Sequence, residues 1–298
     1  MTTVARLVSL RSLQGLWKDW QTFWYSRLTE VFESAQRVWF DDSSRIVFFS
    51  DCHRGDKSRI DAFAENAKLF LDALTHYYRE GFTYIEVGDG DDLWQHGLEE
   101  IKRAYWHVFD LLHRFQQEDR LHLVIGNHDI SWGSRRNRVE KDGITAQEGL
   151  VLEHAQTGQE IFVVHGHQVD FMGDRLYLLG RFVVRHVWKR LQRLGFRDKA
   201  SRVKDTRKQR KLRERIVEWL QDHQQVIICG HTHRPKSAEQ GAPPYFNTGS
   251  CVTPGLITGL EIRDGEISLV RWSVPREGGG AQRELLASPV SLSLFNWY

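Results

Sequence analysis

Carboxylate and imidazole side chains recur in five short polar segments of this sequence, each at the end of an apolar run. The five segments are Asp51-Cys52-His53, Gly88-Asp89-Gly90-Asp91-Asp92, Gly126-Asn127-His128-Asp129, His165-Gly166-His167 and Gly230-His231-Thr232-His233. Neutral imidazole and carboxylate together suit divalent ions such as Mn, Fe, Zn and Co. These ligands are too numerous for one tetrahedral ion, and the three cysteines include no thiolate pair for a structural zinc. Two ions about 3.5–4 Å apart that share one carboxylate would use them all.

The spacing within two of these segments predicts how their side chains are aimed. Asp51 and His53 stand two positions apart, as do His231 and His233. In an extended segment, residues at i and i+2 lie on the same face and the residue between them points away. We therefore expect both members of each pair to face one site, and Cys52 to be a buried neighbour and not a ligand. A single such pair is common at ordinary strand ends, so the prediction depends on five segments in this order.

The elements that must position these segments are buried strands that alternate with helices. Apolar runs rich in β-forming residues cover 46–49, 84–87, 121–125, 161–164 and 226–229, and each ends in one of the five segments. Helical periodicity follows the first run, with Phe63, Phe70 and Leu74 on one face, and returns at about 98–117. Such alternation is typical of a layered α/β domain, in which ligand sites gather outside the carboxyl ends of the strands. We therefore predict that the five segments meet in one place.

The two ends of the chain predict segments outside this core. Residues 5–38 have amphipathic helical periodicity with several tryptophans, which favours a helix packed on the domain or on a partner subunit. Residues 244–273 predict a β-meander that closes a second sheet, and residues 274–298 a mostly loose extension. We therefore divide the chain into a Trp-rich helical segment at 1–41, a main domain at 42–273 and a C-terminal extension at 274–298.

Composition bounds the cellular setting and names no partner. A chain of 298 residues with 41% apolar content can bury a sizeable core, and its formal net charge is only +2. Three cysteines without a pairing pattern indicate reduced thiols, and neither a signal peptide nor a run of about 18 apolar residues is visible. We expect a cytoplasmic protein, either free or peripheral at the inner membrane surface.

The ordered set of five segments resembles the calcineurin-like metallophosphoesterase superfamily over roughly residues 45–272. The resemblance implies an α/β (α+β) fold, a four-layer αββα sandwich of two mixed β-sheets, with a helical insertion at about 170–222 over the active site. It implies a first metal held by Asp51, His53, Asp89 and His233, and a second held by Asp89, Asn127, His165 and His231, with Asp89 as the bridge. The implied reaction is hydrolysis of a phosphate ester or pyrophosphate bond by a hydroxide that bridges two divalent ions. Manganese is the first candidate, and Fe, Zn and Co are the others.

The resemblance also implies roles for two residues beside the metals. His128 resembles the family histidine that protonates the leaving group or steadies the equatorial oxygens, and Asp92 resembles the carboxylate that orients this histidine. A carboxylate–imidazole contact fixes the tautomer and raises the imidazole pKa. We therefore expect loss of His128 to lower the rate far more than the metal content.

A nearer resemblance concerns the substrate. The run Gly88-Asp89-Gly90-Asp91-Asp92-Leu93-Trp94 is similar to the Gly-Asp-x-x-Asp-x-Trp stretch of UDP-2,3-diacylglucosamine pyrophosphatases, enzymes of the lipid A pathway. That family places a helical lid over its lipid substrate where this chain has its long insertion, which is basic and partly apolar. A solvated helix face explains a basic run, and so does a cationic cover for an anionic substrate or phospholipid surface. Peripheral lipid contact would then involve residues 5–38 and 170–215. The family usually has arginine where His128 stands and aspartate where His167 stands, so the substrate stays open.

Other functions compete with this interpretation. On the same metal site, the alternatives are a serine/threonine protein phosphatase and a nucleotide phosphodiesterase, although the insertion predicts a partly covered site and not an open, shallow groove. A non-catalytic, metal-stabilised scaffold usually lacks ligands, and every ligand type is present here. Nucleic-acid processing is disfavoured because the insertion offers few aromatic platforms for bases, Trp188 being the candidate. The sequence predicts an anionic, phosphate-containing substrate and leaves the oligomeric state open.

Overall fold

The computed structural model describes residues 23–129, 138–141, 144–170, 206–239, 241–275 and 279–295. Its helices are α1 (residues 23–34), α2 (Ala67–Arg79), α3 (Leu98–Ala104), α4 (Trp106–Gln117) and α5 (Thr206–Asp222). Its strands are β1 (Gln36–Phe40), β2 (Ile46–Phe49), β3 (Thr83–Val87), β4 (Leu121–Val124), β5 (Arg138–Lys141), β6 (Ile144–Gln147), β7 (Gly149–His154), β8 (Glu160–Val164), β9 (Val226–Cys229), β10 (Tyr245–Asn247), β11 (Leu256–Arg263), β12 (Glu266–Ser273), β13 (Gln282–Leu285) and β14 (Val290–Ser291). Short 3₁₀-helical turns lie at His167–Val169 and Leu292–Phe295.

Two mixed sheets form the centre of the molecule. Within the described ranges, the smaller sheet has the strand order β1-β7-β8-β9-β10. The larger has the order β13-β12-β11-β2-β3-β4-β6-β5, with β14 paired to β12. Strands β2, β3 and β4 are parallel neighbours, as are β8, β9 and β10. Because parallel strands end at the same edge of a sheet, the polar segments that follow β2, β3 and β4 lie together at one edge.

Helices cover the outer faces of both sheets. Alternation along β2 sends Phe48 into the core between the sheets and Phe49 into a core that includes residues of α2, α3 and α4. On the smaller sheet, Phe162 joins a third core with Trp24 of α1 and Trp219 of α5. The order of layers is therefore helix, sheet, sheet, helix, which confirms the predicted αββα sandwich.

The N-terminal segment is built into the smaller sheet. The helical pattern predicted over 5–38 is wrong at its end, because α1 stops at residue 34 and residues 36–40 form β1, which pairs in parallel with β7. Trp24, Leu28 and Val31 are buried against the protein, so this stretch packs on the domain. The boundary at residue 41 therefore divides a single folded unit. The predicted lipid contact of residues 5–22 lies outside the described residues.

The C-terminal segment is also part of a sheet. The predicted loose extension is wrong for residues 282–291, since β13 and β14 both pair with β12. β13 is exposed along its length, so it lacks the alternation of apolar and polar residues by which a strand is predicted. The predicted meander is half correct, because β11 and β12 form a hairpin in the larger sheet while β10 joins the smaller one.

Two helix predictions need a smaller adjustment. The helix predicted at 98–117 divides into α3 and α4 at Tyr105. The predicted helical insertion at 170–222 is seen from α5 onward, and its residues 171–205 lie outside the described part of the chain. Among the described residues, no helix has the length and apolar composition needed to cross a membrane.

Candidate metal centre

The polar segments begin where their strands end, and the backbone bends there. Asp51, His53, Asp89, His231 and His233 all have positive φ values, between 48° and 64°. Non-glycine residues in this region carry about 1–3 kcal/mol of strain each, and such strain collects at functional sites. The prediction of an extended i, i+2 geometry is therefore wrong. Both members of each pair still face one site, because the left-handed turn takes the place of the strand.

The first group of ligands joins the segments after β2 and β9. The Nε2 atom of His233 lies 2.8 Å from Asp51 Oδ1, and His53 Nε2 lies 3.7 Å from the same oxygen. The two imidazole Nε2 atoms are 3.3 Å apart. Asp51 is fully buried, and Ser50 and the His231 backbone N–H donate to its other oxygen at 2.5 and 2.9 Å. Three donor atoms thus converge where one cation would sit.

The second group shares its carboxylate with the first. Asp89 Oδ2 lies 3.2 Å from His165 Nε2 and 3.7 Å from His53 Nε2, so one oxygen faces both groups. Ligand atoms of Asp89, His165 and His231 lie within 4.8 Å of one another. His165 Nδ1 donates to the Val87 carbonyl at 2.8 Å, which leaves its Nε2 lone pair directed at the site.

Asn127 is held beside this shared carboxylate. The His128 backbone N–H donates to Asp89 Oδ1 at 2.8 Å, which fixes the Asn127-His128 loop against Asp89. Trp94 Nε1 donates to the Asn127 carbonyl at 2.7 Å. The side-chain oxygen of Asn127 is buried and has no hydrogen-bond partner among the described residues. A buried amide oxygen of this kind is costly unless something binds it, and a cation would satisfy it.

The buried carboxylates of the site favour the binding of positive charge. Burial opposes ionisation of Asp51 and Asp89, but the facing imidazoles of His233 and His165 outweigh it and hold both carboxyl pKa values well below their usual range. Burial also opposes protonation of His165, yet Asp89 raises the pKa of His165 to about 9. Beside the buried Asp89, a proton on His165 is therefore favoured while no cation is bound. Two divalent cations would supply positive charge instead and release that proton, so the residues fit a pair of ions.

His128 stands at the side of this centre with its own carboxylate. Its Nδ1 lies 3.0 Å from Asp92 Oδ1, its ring stacks on Trp94 at 4.3 Å, and its edge contacts the ring of His53 at 4.6 Å. Burial disfavours the charged imidazole, but Asp89 and Asp92 outweigh burial and raise the pKa of His128. This arrangement agrees with the orienting contact predicted between Asp92 and His128. The tryptophan of the Leu93-Trp94 pair, to which the sequence assigned no role, fixes the plane of the ring.

A buried ion-pair network supports the loops from behind, and sequence reasoning missed it. Arg54 is 1% exposed and donates to both oxygens of Glu86 at 2.7 and 2.8 Å and to Asp91 at 2.7 Å. Tyr84 donates to Glu86 as well, at 2.8 Å. An arginine directly after the first ligand pair is the only sequence signal of this network. It ties the segment after β2 to the segment after β3.

Breaking this network should destabilise the protein strongly. We expect Arg54→Met to lower the free energy of unfolding by about 3–5 kcal/mol, because Glu86 and Asp91 would stay buried without their cation. Urea unfolding followed by circular dichroism measures the change. The exposed Arg59→Met variant is the control and should stay within about 0.5 kcal/mol of the parent. Equal stability of the two variants would contradict the role given to Arg54.

Asp129 joins the segment after β3 to the segment after β4 by hydrogen bonds. Its Oδ2 accepts hydrogen bonds from the backbone N–H groups of Asp89 at 2.7 Å and Gly126 at 2.9 Å, and its Oδ1 accepts from that of Asp91 at 3.1 Å. Gly126 has no room for a side chain, since a Cβ there would lie 2.1 Å from Asp89 Oδ1. The last carboxylate of the Gly-Asn-His-Asp segment is therefore a positioning group.

Two further residues near the centre follow β8, one within the His165-Gly166-His167 segment and one just beyond it. His167 is fully buried, and neither of its ring nitrogens has a hydrogen-bond partner in the described residues. Burial lowers the pKa of His167 well below its usual range, so it is a neutral neighbour of His165. Asp170, which sequence reasoning missed, lies 3.5 Å from His231 Nε2 and 2.7 Å from Lys208 Nζ of α5. The sequence offers no signal for these contacts, which arise where the chain leaves the 3₁₀ turn at His167–Val169.

We expect Asp170 to strengthen metal binding by His231. A carboxylate that contacts a ligating histidine fixes its tautomer and orientation, and its loss typically weakens metal affinity about 10–100-fold. We expect Asp170→Asn to weaken one of two binding events by this factor, measured by calorimetric titration of metal-free protein. Asp110→Asn, an exposed change on α4, is the control. Unchanged affinity for both ions in Asp170→Asn would contradict the contact's role.

Comparison with known proteins places this geometry in a family. Residues 45–261, more than half of the chain, match the calcineurin-like phosphoesterase superfamily domain. The chain belongs to the calcineurin-like phosphoesterase superfamily. It is a metal-dependent phosphoesterase, because the family match spans all five segments and the site brings their metal-ligating side chains together. A search of curated proteins gives no match.

Solved structures with similar folds share little sequence with this chain. Vacuolar protein sorting 29 from Cryptosporidium parvum is 12% identical, with a TM-score of 0.44, over 83% of this chain and 98% of that chain. A dimetal phosphatase from Danio rerio is 13% identical, with a TM-score of 0.43, over 83% of this chain and 100% of that chain. Vps29 from Entamoeba histolytica, solved with zinc, is 19% identical, with a TM-score of 0.39, over 82% of this chain and 99% of that chain.

Proposed function

We propose that the protein hydrolyses a phosphate anhydride bond in an anionic, amphiphilic substrate of the nucleotide-sugar lipid type. The supporting observation is the position of α5 beside the metal centre. Lys208 of α5 contacts Asp170, which contacts His231, so the start of this helix is two contacts away from a predicted metal ligand. Gln209 also donates to the Thr232 carbonyl at 3.0 Å. The basic helix is therefore anchored to the rim of the site.

The exposed face of α5 carries a high density of positive charge. Its exposed cations are Arg207, Lys208, Arg210, Lys211 and Arg213; its exposed carboxylates are Glu214 and, toward the C-terminal end, Glu218 and Asp222. A cationic surface of this kind raises the local concentration of anionic substrates. A substrate presented at an anionic lipid surface adds the charge of that surface to its own, whereas a small monoester in solution has only its own charge. The charge next to the site thus favours the larger anions.

The residues of the site would have the following roles. Asp51, His53, Asp89, Asn127, His165, His231 and His233 would hold two divalent ions, for which manganese is our first candidate. Such ions neutralise phosphate charge and provide nucleophilic water at neutral pH when bound. His128, whose pKa Asp89 and Asp92 raise, would donate a hydrogen bond or a proton at the leaving oxygen. Trp94 would keep the imidazole of His128 in that position.

A substrate comparison tests the proposal. Initial rates would be measured side by side for a nucleotide-sugar lipid in anionic vesicles, a nucleotide diester, a phosphoserine peptide and a small aryl phosphate. We expect the largest kcat/KM for the lipid, and we expect neutralising Arg207, Arg210 and Lys211 together to reduce it about 10–100-fold. Lys68→Gln, an exposed change on α2, is the control. A preference for the diester or the peptide would instead favour the phosphodiesterase or protein phosphatase alternative.

The location proposal follows from the substrate. An amphiphilic substrate would bring the enzyme to the cytoplasmic side of the inner membrane as a peripheral protein. Sedimentation with anionic vesicles, compared at low and high salt, tests this, because electrostatic attachment weakens with ionic strength. Binding that is absent at low salt would contradict it.

A further inference from the structure

A second cluster of metal-ligating side chains lies outside the centre described above. It combines His96 with two carboxylates, Asp56 from the loop after β2 and Glu100 from α3. The His96 side chain is 2% exposed, that of Asp56 15% and that of Glu100 47%, so the cluster opens to solvent on one side. None of these residues belongs to the five segments of the metal centre.

The distances within the cluster suit a shared cation better than direct pairing. His96 Nδ1 lies 3.4 Å from Asp56 Oδ2 and 3.8 Å from Glu100 Oε2. A charge-assisted N–H···O bond would be about 2.7–2.9 Å long. Nitrogen and oxygen ligands bound at about 2.0–2.2 Å to a tetrahedral ion stand about 3.3–3.6 Å apart. The 3.4 Å separation falls in that range, the 3.8 Å separation lies just above it, and all three ligand atoms lie within 4.8 Å of one another.

The charge around the cluster also favours a cation. Asp61 is close by and accepts hydrogen bonds from the Lys57 backbone N–H at 2.7 Å and from the Tyr105 hydroxyl. Lys57 directs its ammonium group over the Tyr105 ring, 5.0 Å from the centroid. The two carboxylates of the cluster together carry a charge of −2, which one divalent ion would balance.

We propose that Asp56, His96 and Glu100 bind a further divalent cation of the Zn or Mn type, separate from the pair at Asp89. One imidazole and two carboxylates suit these ions, and water would complete the coordination. The ion would join the loop after β2 to the start of α3. Between those points the chain carries Asp92, whose carbonyl accepts the His96 backbone N–H at 3.0 Å. The ion would thus stabilise the turn from which Asp92 reaches His128.

Metal counting with matched variants tests the proposal. Metal-free protein would be dialysed to equilibrium with zinc or manganese, and the ions per chain would be measured by mass spectrometry. We expect Asp56→Asn and Glu100→Gln to retain one ion fewer than the parent. Glu99→Gln is the control, because this neighbouring carboxylate is exposed and lies near Lys102 instead of the cluster. Equal metal content in the parent and in Glu100→Gln would overturn the proposal.

A second background separates this site from the principal centre. In an Asp89→Asn protein, whose principal pair is disrupted, the cluster should still retain one ion, and adding Glu100→Gln should remove it. Crystals soaked in zinc should show an anomalous peak between His96 and the two carboxylates. Absence of that peak, with peaks present at the principal centre, would overturn the proposal without affecting the assigned chemistry.

Discussion

Replacing Asp89 with asparagine is expected to abolish turnover and disrupt binding of both metal ions. One oxygen of Asp89 faces His53 in the first ligand group and His165 in the second, so a single change affects both. Loss of a residue that only orients a ligand weakens metal affinity about 10–100-fold, and loss of a shared ligand should exceed the upper end of that range. Ions per chain and kcat/KM on a small phosphate ester measure the effect.

Asp89→Asn is a strict test because asparagine has nearly the same shape as aspartate but no negative charge. Its side-chain oxygen can still accept the hydrogen bond from the His128 backbone, so the loop after β4 keeps its support. Asp110→Asn, an exposed change on α4, is the control and should leave metal content and turnover unchanged. Two tightly held ions with full turnover in Asp89→Asn would refute the bridging role and the hydrolase assignment that depends on it.

The second large effect is expected at His128. We expect His128→Gln to lower kcat about 10²- to 10⁴-fold, the range for loss of a positioned proton donor, while metal content changes little. The reason is that Nδ1 is engaged by Asp92 and the ring is stacked on Trp94, so the side chain is held for contact with substrate. Asp92→Asn should cause a smaller loss in the same direction.

Parallel measurement of rate and metal content decides the role of His128. His107→Gln, at an exposed position of α4, is the control. If metal content fell in proportion to kcat in His128→Gln, the residue would be a metal ligand, which its proximity to His53 and Asp89 makes a concrete alternative. A substrate with a leaving group of low pKa should lose less rate, since it needs little protonation.

Much of the fold and the ligand set could be predicted because their signals are local. Short apolar runs such as Ile46–Phe49 predict buried strands, and a polar residue after each run marks its carboxyl end. Parallel strands then bring distant segments to one edge without further information. The types of the side chains alone predict divalent metal ions, because carboxylate and imidazole have few other shared uses at such density.

Other features depend on which strand a segment pairs with and on what surrounds it in the folded protein. Nothing in the 36–40 pattern shows that it pairs with β7, nor in 282–291 that it pairs with β12, because a strand's partner supplies half of its hydrogen bonds. The left-handed backbone at Asp51 and Asp89 is likewise held by its surroundings against local preference.

Residue types and their spacing establish which atoms are available to bind metal and which strands carry them. Tertiary structure alone decided that Arg54 neutralises Glu86 behind the site, that Asp170 contacts His231, and that Trp94 stacks on His128. The physical reason is that a charge or a ring gains its role from what lies within about 4 Å of it, where Coulomb and packing energies are large. Such proximity arises only when the chain has folded.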